Sequence, residues 1–352
     1  MILKNCLLLK TFIILLIIVF ISLNPCLADG NEKGNKKDNK INPEYIVDYK
    51  NLLTSRFYLL NESIGFQVKP EGAKNGVFFK PNIHTKVGLA GFYKWFGLGL
   101  AVRSPFYKRD EDIKGKSKII DLRINAYGKA IAAEISIQDY KGFYIDNPDE
   151  VYDEWLPGGE YPKRPDMRIS STSAIFYYIF NYKKHSIRAA YIQNERQLKS
   201  SGSLMLMPAV LFLKLSADSC IIPKAYIDKY NIDPSEQIKS GNFKLFGMSA
   251  GYSYTLVMLK YFYINASFLP GCFLQKYKYE NNTGTERREK FSLLWLGRLA
   301  FGYNSDKFYA GIGGVFGFNS TPIPILETNF HYDMNQIRLW IGTRFNVFKK
   351  KN

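Results

Sequence analysis

The stretch "LLWLGRLAFGYNSDKFYAGIGGVFGF", Leu293 to Phe318, decides the fold. With Asn304–Lys307 as a turn, Tyr303 faces Phe308, Phe301 faces Ala310 and Leu299 faces Ile312. Further out, Trp295 meets Phe316 and Leu293 meets Phe318. The other face pairs Gly302 with Tyr309, Ala300 with Gly311, Arg298 with Gly313 and Leu296 with Val315. Side chains alternate between faces with period two, so one face is wholly apolar. Its aromatics gather at both ends, about ten residues apart, as transmembrane strands of 9–11 residues with two aromatic girdles require. A soluble core has no reason to place Trp and Tyr at both rims.

A second hairpin has the same grammar. "IIDLRINAYGKAIAAEISIQ", Ile119 to Gln138, reads as two strands joined by Gly128-Lys129 in a type II′ turn. That turn sets Ala126 against Ile131, Ile124 against Ala133, Leu122 against Ile135 and Ile120 against Ile137. On the other face Asn125 meets Ala132, Arg123 meets Glu134 and Asp121 meets Ser136. The Arg123–Glu134 contact is worth about 0.2–1 kcal/mol and helps to set register. Alone, this hairpin fits a sandwich with its charges in water or a barrel with them in the lumen.

Other segments tip the balance. "YFYINASFL" sets Phe262, Ile264, Ala266 and Phe268 against Tyr261, Tyr263, Asn265 and Ser267. "KWFGLGLAVR" sets Phe96, Leu98, Leu100 and Val102 against Trp95, Gly97, Gly99, Ala101 and Arg103. "IRLWIGTRFNVF" sets Ile337, Leu339, Ile341, Phe345 and Val347 against Arg338, Trp340 and Arg344. The expected fold is all-β: an antiparallel up-and-down transmembrane β-barrel of about twelve strands, within a range of ten to fourteen. Tight periplasmic turns are expected at Gly128-Lys129, Lys183-Lys184, Met258–Lys260 and Asn304–Lys307. Long extracellular loops are expected at 104–117, 141–167, 214–243, 277–289 and 319–335. The count closes at twelve if "LMLMPAVLFLKL" (Leu204 to Leu215) does not span, as Pro208 in its middle suggests. It becomes fourteen if that segment and "RFYLL" (Arg56 to Leu60) both span. Short helices are expected at "YIVDYKNLLTS" (Tyr45 to Ser55) and "AYIDKYNI" (Ala225 to Ile232).

Residues 1–28 read as a secretory signal, with Lys4 and Lys10 before the thirteen-residue apolar core "TFIILLIIVFISL" and "CLA" at the cut. A lipoprotein reading, with Cys26 acylated, is weakened by Pro25. Residues 29–44 are a polar, disordered leader, and 45–352 form one barrel domain. No later run of eighteen apolar residues exists to span as a helix. The 48 Lys+Arg, less Lys4 and Lys10, leave 46 against 31 Asp+Glu. This basic balance either faces anionic lipid phosphates or reflects a Lys/Asn/Ile-rich genome, and in an exported chain no nucleic-acid partner is expected. Cys220 and Cys272 are the remaining cysteines and could pair in an oxidising compartment.

Between the strands lie "YIVDYKNLLTSRFY", "KPN" (80–82), "QDYKGFY" (138–144), "QLKSSGS" (197–203), "DSCIIP" (218–223), "GYSY" (251–254) and "LPG" (269–271). As an ordered set these resemble the domain-of-unknown-function family 4421 of Bacteroidota. The resemblance implies an exported, β-rich outer-membrane protein, with no activity and no catalytic residues to carry over. "QLKSSGS" departs from the Ala the family would place before its Gly.

Candidate chemistry is sparse. His84, His185 and His331 lack metal-ligand spacing. His185-Ser186, read as strand neighbours, point to opposite faces and form no dyad. "GIGGVFG" (311–317) mimics a phosphate loop but lacks the Lys-Ser/Thr and the helix, so its glycines are expected to make room in the lumen or to relieve strand curvature. Asp146, Asp149, Glu150, Asp153, Glu154, Glu160 and Asp166 could attract Ca²⁺ but match no calcium loop, and a solvated acidic loop is the plainer reading. Asp121, Arg123, Glu134, Arg188, Arg298, Arg338 and Arg344 are candidates for a lumen charge network, either filling a narrow bore or lining a selective pore.

The sequence therefore points to a non-enzymatic outer-membrane barrel, a structural barrel or a small channel or transporter, without cofactor or metal. Its expected partners are outer-membrane lipid and the barrel-assembly machinery; a small-molecule or surface ligand is left unspecified. Alternatives are an adhesin or receptor acting through long loops, an outer-membrane hydrolase or acyltransferase, and a periplasmic location.

Overall fold

The computed structural model describes residues 41–70, 73–83, 85–105, 110–317, 321–325 and 328–346. Residues 1–40, with the expected signal and most of the leader, lie outside them, as do His84, Phe318 and Val347. The strands, in chain order, begin with β1 (Ile46–Asp48), β2 (Leu53–Lys69), β3 (Val77–Lys80), β4 (Thr85–Tyr93) and β5 (Phe96–Arg103). Then come β6 (Lys118–Tyr127), β7 (Ile131–Ile145), β8 (Lys163–Ile179), β9 (Glu195–Gln197), β10 (Ser201–Ser216) and β11 (Ser240–Met258). The last are β12 (Phe262–Asn281), β13 (Gly284–Asn304), β14 (Phe308–Phe316), β15 (Thr321–Ile325) and β16 (Thr328–Phe345). Twelve of them form an antiparallel wall, in the order β2, β4, β5, β6, β7, β8, β10, β11, β12, β13, β14, β16, and β16 pairs back onto β2 to close it. Closure leaves no end strand in this twelve-strand wall, while β15 lies outside the ring and pairs only with β16 among the described residues.

Alternation along each wall strand follows the expected faces. In β5, Phe96, Leu98, Leu100 and Val102 are exposed outward while Ala101 is buried. In β12, Phe262, Ile264 and Phe268 point out; Tyr263, Asn265 and Ser267 point into the bore. Outward rings pair at two levels of the wall. Phe262 packs on Tyr303 at 5.3 Å near one end, and Phe268 on Trp295 at 5.8 Å six residues further along. Trp95 departs from expectation: it lies exposed in the turn after Lys94, whose φ is +55°, and not on the inner face.

Register differs from expectation in both hairpins, by two residues each. The Gly128 N–H donates to Ile131 O, so the turn centres on Lys129-Ala130 and Tyr127 faces Ala132. Arg123 therefore faces Ser136, and Glu134 faces Asn125, so the expected Arg123–Glu134 pair does not form. Likewise Ser305 N–H donates to Phe308 O, and Phe301 faces Ile312 while Leu299 faces Gly314. A shift of two keeps each side chain on its face, so only turn geometry distinguishes the registers.

The strand count is twelve, but by another route. Leu204–Leu215 lies within β10 and Arg56–Leu60 within β2, both in the wall. Pro208 is accommodated because the β8–β10 ladder skips Met207 and Pro208, between Leu206↔Tyr178 and Ala209↔Ile175. The missing N–H falls where no bond is made. Residues 180–200, expected as a tight turn at Lys183-Lys184, form an inward segment holding the helix α1 (Ile187–Tyr191) and β9. The expected long loop at 277–289 is instead the tip of the β12–β13 hairpin, turned at Asn282-Thr283. The other long connections are 104–117, 146–162 and 217–239, and 319–335 holds β15 paired with β16.

Both ends of the bore are filled. At the short-turn end β1 pairs with β9, so Tyr45–Ser55 is not the expected helix: tertiary pairing overrides local propensity. Ala190 and Ile192 there pack against inward Tyr58, Tyr127, Tyr263 and Trp340. At the other end, a helix α2 (Lys224–Tyr230), close to the one expected, brings Tyr226 into an apolar cap with Ile221, Ile222, Phe66, Phe79, Phe143 and Phe243. Among the described residues no helix is long and apolar enough to cross a membrane. Cys220 and Cys272 are free thiols, and burial pushes the Cys220 pKa up.

Candidate functional site

The site is the bore between the two fillings, because the alternation of the wall strands delivers charge there. In β2 the inward series is Thr54, Arg56, Tyr58, Leu60 and Glu62; in β4 it includes Lys86, Ala90 and Phe92. Below the apolar cap, Lys86 Nζ sits between Glu62 and Asp121, 2.7 Å from the latter, and all three side chains are at most 2% exposed. Lys86 also donates to the Tyr140 hydroxyl at 2.9 Å. Arg123 contacts the same two carboxylates, at 2.9 Å to Asp121 and 3.2 Å to Glu62, and reaches Gln336 on β16 at 3.0 Å. Two cations and two anions thus close into a neutral cluster, which low-dielectric burial requires.

A cavity of about 130 Å³ lies below this cluster. Arg298 enters it from β13, with Nη1 3.2 Å from Glu134 and 2.9 Å from the Tyr177 hydroxyl, and its guanidinium is stacked 4.0 Å from the Tyr191 ring centroid. Arg56 donates to Tyr191 O at 2.7 Å, and both Arg56 and Arg338 lie against the Tyr58 ring, at 5.7 and 5.1 Å from its centroid. Gly311 and Gly313 leave room for Trp340: a Cβ on either would come within 3.0 Å of its ring. The expectation that the glycines of 311–317 open space in the lumen is met at these two positions.

The remaining expected charges sit lower. Arg188 is on α1, not on a wall strand, and pairs with Glu195 at 3.0 Å. Arg344 donates to Gln193 O at 2.7 Å and lies over Tyr49 at 4.2 Å, fastening the inner segment to the wall. Asn304 Nδ2 donates to Ala189 O and Glu195 O at 3.1 and 3.0 Å. The seven expected residues therefore divide into three groups: Asp121 and Arg123; Glu134, Arg298 and Arg338; Arg188 and Arg344. Glu62, Lys86 and Arg56 were missed. Lys86 carries a legible signal, as a charge at an even position of a strand whose odd positions hold Val87, Leu89 and Tyr93; in β2 the odd positions include Ser55, Asn61, Ser63, Gln67 and Lys69, so alternation does not single out Arg56 or Glu62.

His185 is not in a strand. It lies in the turn before α1, with Nδ1 3.0 Å from Ser201 O and Nε2 3.1 Å from Ser253 Oγ. The carbonyl can only accept, so Nδ1 carries the proton and the Ser253 hydroxyl donates to Nε2. Burial pushes the pKa down to about 4, against the opposing pull of the Ser201 carbonyl. Ser253 accepts from Asn265 and Ser267 as well, is fully buried and does not line the cavity. This Ser–His contact is structural. Ser186, for its part, caps α1 by accepting from Ala189 N–H at 3.0 Å. His331 lies in β16.

Four of the seven carboxylates of the acidic connection are in ion pairs: Asp146 with Lys80, Asp153 with Lys229 at 2.5 Å, Glu160 with Lys163 at 2.7 Å and Asp166 with Arg164 at 2.8 Å. Among the described residues no group of three or more His, Cys, Asp or Glu is placed to hold a metal ion.

A family model described as a domain of unknown function (DUF4421) matches residues 36–336. No curated protein matches the chain in sequence. Among solved structures the chain is similar to the outer membrane protease OmpT of Escherichia coli, at 9% identity, covering 85% of this chain and 96% of that one, with a TM-score of 0.30. It is similar to the attachment invasion locus protein Ail of Yersinia pestis, at 10% identity, 83% and 99% coverage and a TM-score of 0.25. It is also similar to the toluene transporter TodX of Pseudomonas putida, at 9% identity, 84% and 90% coverage and a TM-score of 0.27. These are likenesses of outline, and they assign no activity to this chain.

Proposed function

The chain belongs to the family described as a domain of unknown function (DUF4421), and we propose that it is an outer-membrane barrel with a closed bore and a non-enzymatic, structural role. The observation that carries this reading is the double filling: the inner segment 180–200 with β1 below, and the apolar cap with α2 above. Between them, side chains from distant strands join across the bore, Arg298 to Glu134 and Arg123 to Gln336. An outward belt supports the membrane setting. It runs from Phe262 and Phe308 near the short turns to Leu293, 83% exposed, and such apolar exposure costs free energy in water but not in lipid. Outer-membrane lipid and the barrel-assembly machinery are then its partners, and export by the N-terminal signal its route.

Two measurements test this reading. The protein should fractionate with the outer membrane and migrate differently before and after boiling. Reconstituted in planar bilayers, it should show no steady conductance. A freely soluble protein with no heat shift removes the membrane assignment; stable single-channel steps remove the closed bore.

A further inference from the structure

The charges around the 130 Å³ cavity do not balance. Arg123, with Lys86, is matched by Glu62 and Asp121, and Arg298 is matched by Glu134. Arg56 and Arg338 both line the cavity, and among the described residues neither has a carboxylate partner. Arg56 is 6% exposed and its Nε has no hydrogen-bond partner; the Nε atoms of Arg298 and Arg338 and the indole Nε1 of Trp340, all on the same lining, are likewise unpartnered. Buried guanidinium charge is strongly unfavourable without a counter-charge. The residues that carry these four N–H groups line one space, and guanidinium groups only donate, so what would satisfy them there is an acceptor-only group with several oxygens.

We propose that this cavity is a binding site for a small oxyanion of the size and charge of inorganic phosphate, held between Arg56 and Arg338. Size sets the class. A site for a drug-sized molecule needs about 300 Å³ or more, whereas the volume here takes one tetrahedral oxyanion together with several waters. Charge sets the sign, since two uncompensated cations take one singly or doubly charged anion. The donors set the chemistry, because chloride offers no directional oxygen lone pairs to the guanidinium N–H groups of Arg56 and Arg338. The site goes beyond the closed-barrel reading and is tested separately, by equilibrium binding and not by conductance.

The test is equilibrium dialysis of the full chain, refolded in uncharged detergent micelles, against labelled inorganic phosphate. Phosphate should be present during refolding in one arm and added afterwards in another. Saturable uptake of about one phosphate per chain is expected, displaced by sulfate and not by equal chloride. Arg56→Gln and Arg338→Gln should each weaken binding roughly 10–100-fold, while Lys163→Gln at the exposed Glu160 pair leaves it unchanged. Ser173→Leu, which keeps both arginines but puts an apolar side chain on the cavity lining, should weaken binding at least about 10-fold and serves where the arginine variants fail to fold. No saturable uptake by the wild-type barrel in either arm overturns the proposal, as does binding that survives both Arg56→Gln/Arg338→Gln and Ser173→Leu.

Discussion

Arg298 reaches across the bore to Glu134, its Nη1 3.2 Å from a carboxylate carried by β7, nearly opposite β13 in the wall. The Tyr177 hydroxyl accepts from the same guanidinium at 2.9 Å and Tyr191 stacks on it. A contact of this kind ties distant parts of the wall that backbone ladders do not connect.

Breaking one side of this tie leaves a buried charge alone. Arg298→Met or Glu134→Leu should destabilise the barrel by about 3–5 kcal/mol, and the double variant Arg298→Met/Glu134→Leu should recover most of that loss. Urea midpoints of the micelle-held protein, followed by tryptophan fluorescence, give the cycle; additive losses would show that the two residues act separately.

Lys86 is the hub of the upper cluster. Lys86→Met should cost about 3–5 kcal/mol because Glu62 and Asp121 are then left with Arg123 alone. Lys163→Met, at a pair where Glu160 is 75% exposed, should cost less than about 1 kcal/mol. The same urea titration compares them directly.

Two motif glycines flank one gap between β11 and β12. The ladder skips from Ser249↔Gly271 to Tyr252↔Phe268, leaving Pro270 without a partner on β11, and the backbones close in at that gap. A Cβ on Gly251 would lie 2.0 Å from Phe268 O, and one on Gly271 2.5 Å from Met248 O. Gly251→Ala and Gly271→Ala should therefore lower the yield of heat-modifiable, folded protein severely. Gly91→Ala, whose nearest neighbour is a Leu53 methyl at 3.9 Å, should not.

The turn between β11 and β12 places two non-glycine residues at positive φ, Leu259 at 45° and Lys260 at 70°. Such a turn prefers Asn-Gly, and Leu259 is 87% exposed, so it gives up no packing. Leu259→Asn/Lys260→Gly should raise stability by about 1 kcal/mol, read as a later urea midpoint.

His185 makes the docking of the inner segment sensitive to acid. Its folded pKa, about 4, lies below the ordinary 6.5, so the unfolded state binds the proton first. The contribution is complete above about pH 6.5 and is lost as pH falls towards 4, about 3 kcal/mol in all. Burial pushes Glu195 in the same segment the other way, its pKa raised against the pull of Arg188. The His185 part is therefore read as the difference between wild type and His185→Asn in protease resistance of residues 180–200 across pH 4–7. Parallel profiles would remove the histidine from the account.

Fold class was legible because it rests on a local rule. Period-two alternation assigns each side chain to a face whatever its partner, so Phe96, Phe262, Leu299 and Ile341 read outward and Arg123, Arg298 and Arg344 inward. The site was legible only in part. A charge inside a strand marks itself, but the residue opposite it depends on register and on which strands face across the bore. The family motifs were visible as words, and their meaning emerged only when "GYSY" and "LPG" proved to be partners at one ladder gap.

By itself, then, the amino-acid sequence determined a β-barrel with an apolar outer face and charges within. The tertiary structure alone decided that Arg123 meets Asp121 and Glu62 and not Glu134, since a two-residue slip leaves every face unchanged and the alternation cannot register it. It also decided that residues 180–200 turn into the bore. Their short apolar run is as compatible with a wall as with a filling, and only the closed ring of twelve strands leaves it nowhere else to bury Ala190 and Ile192.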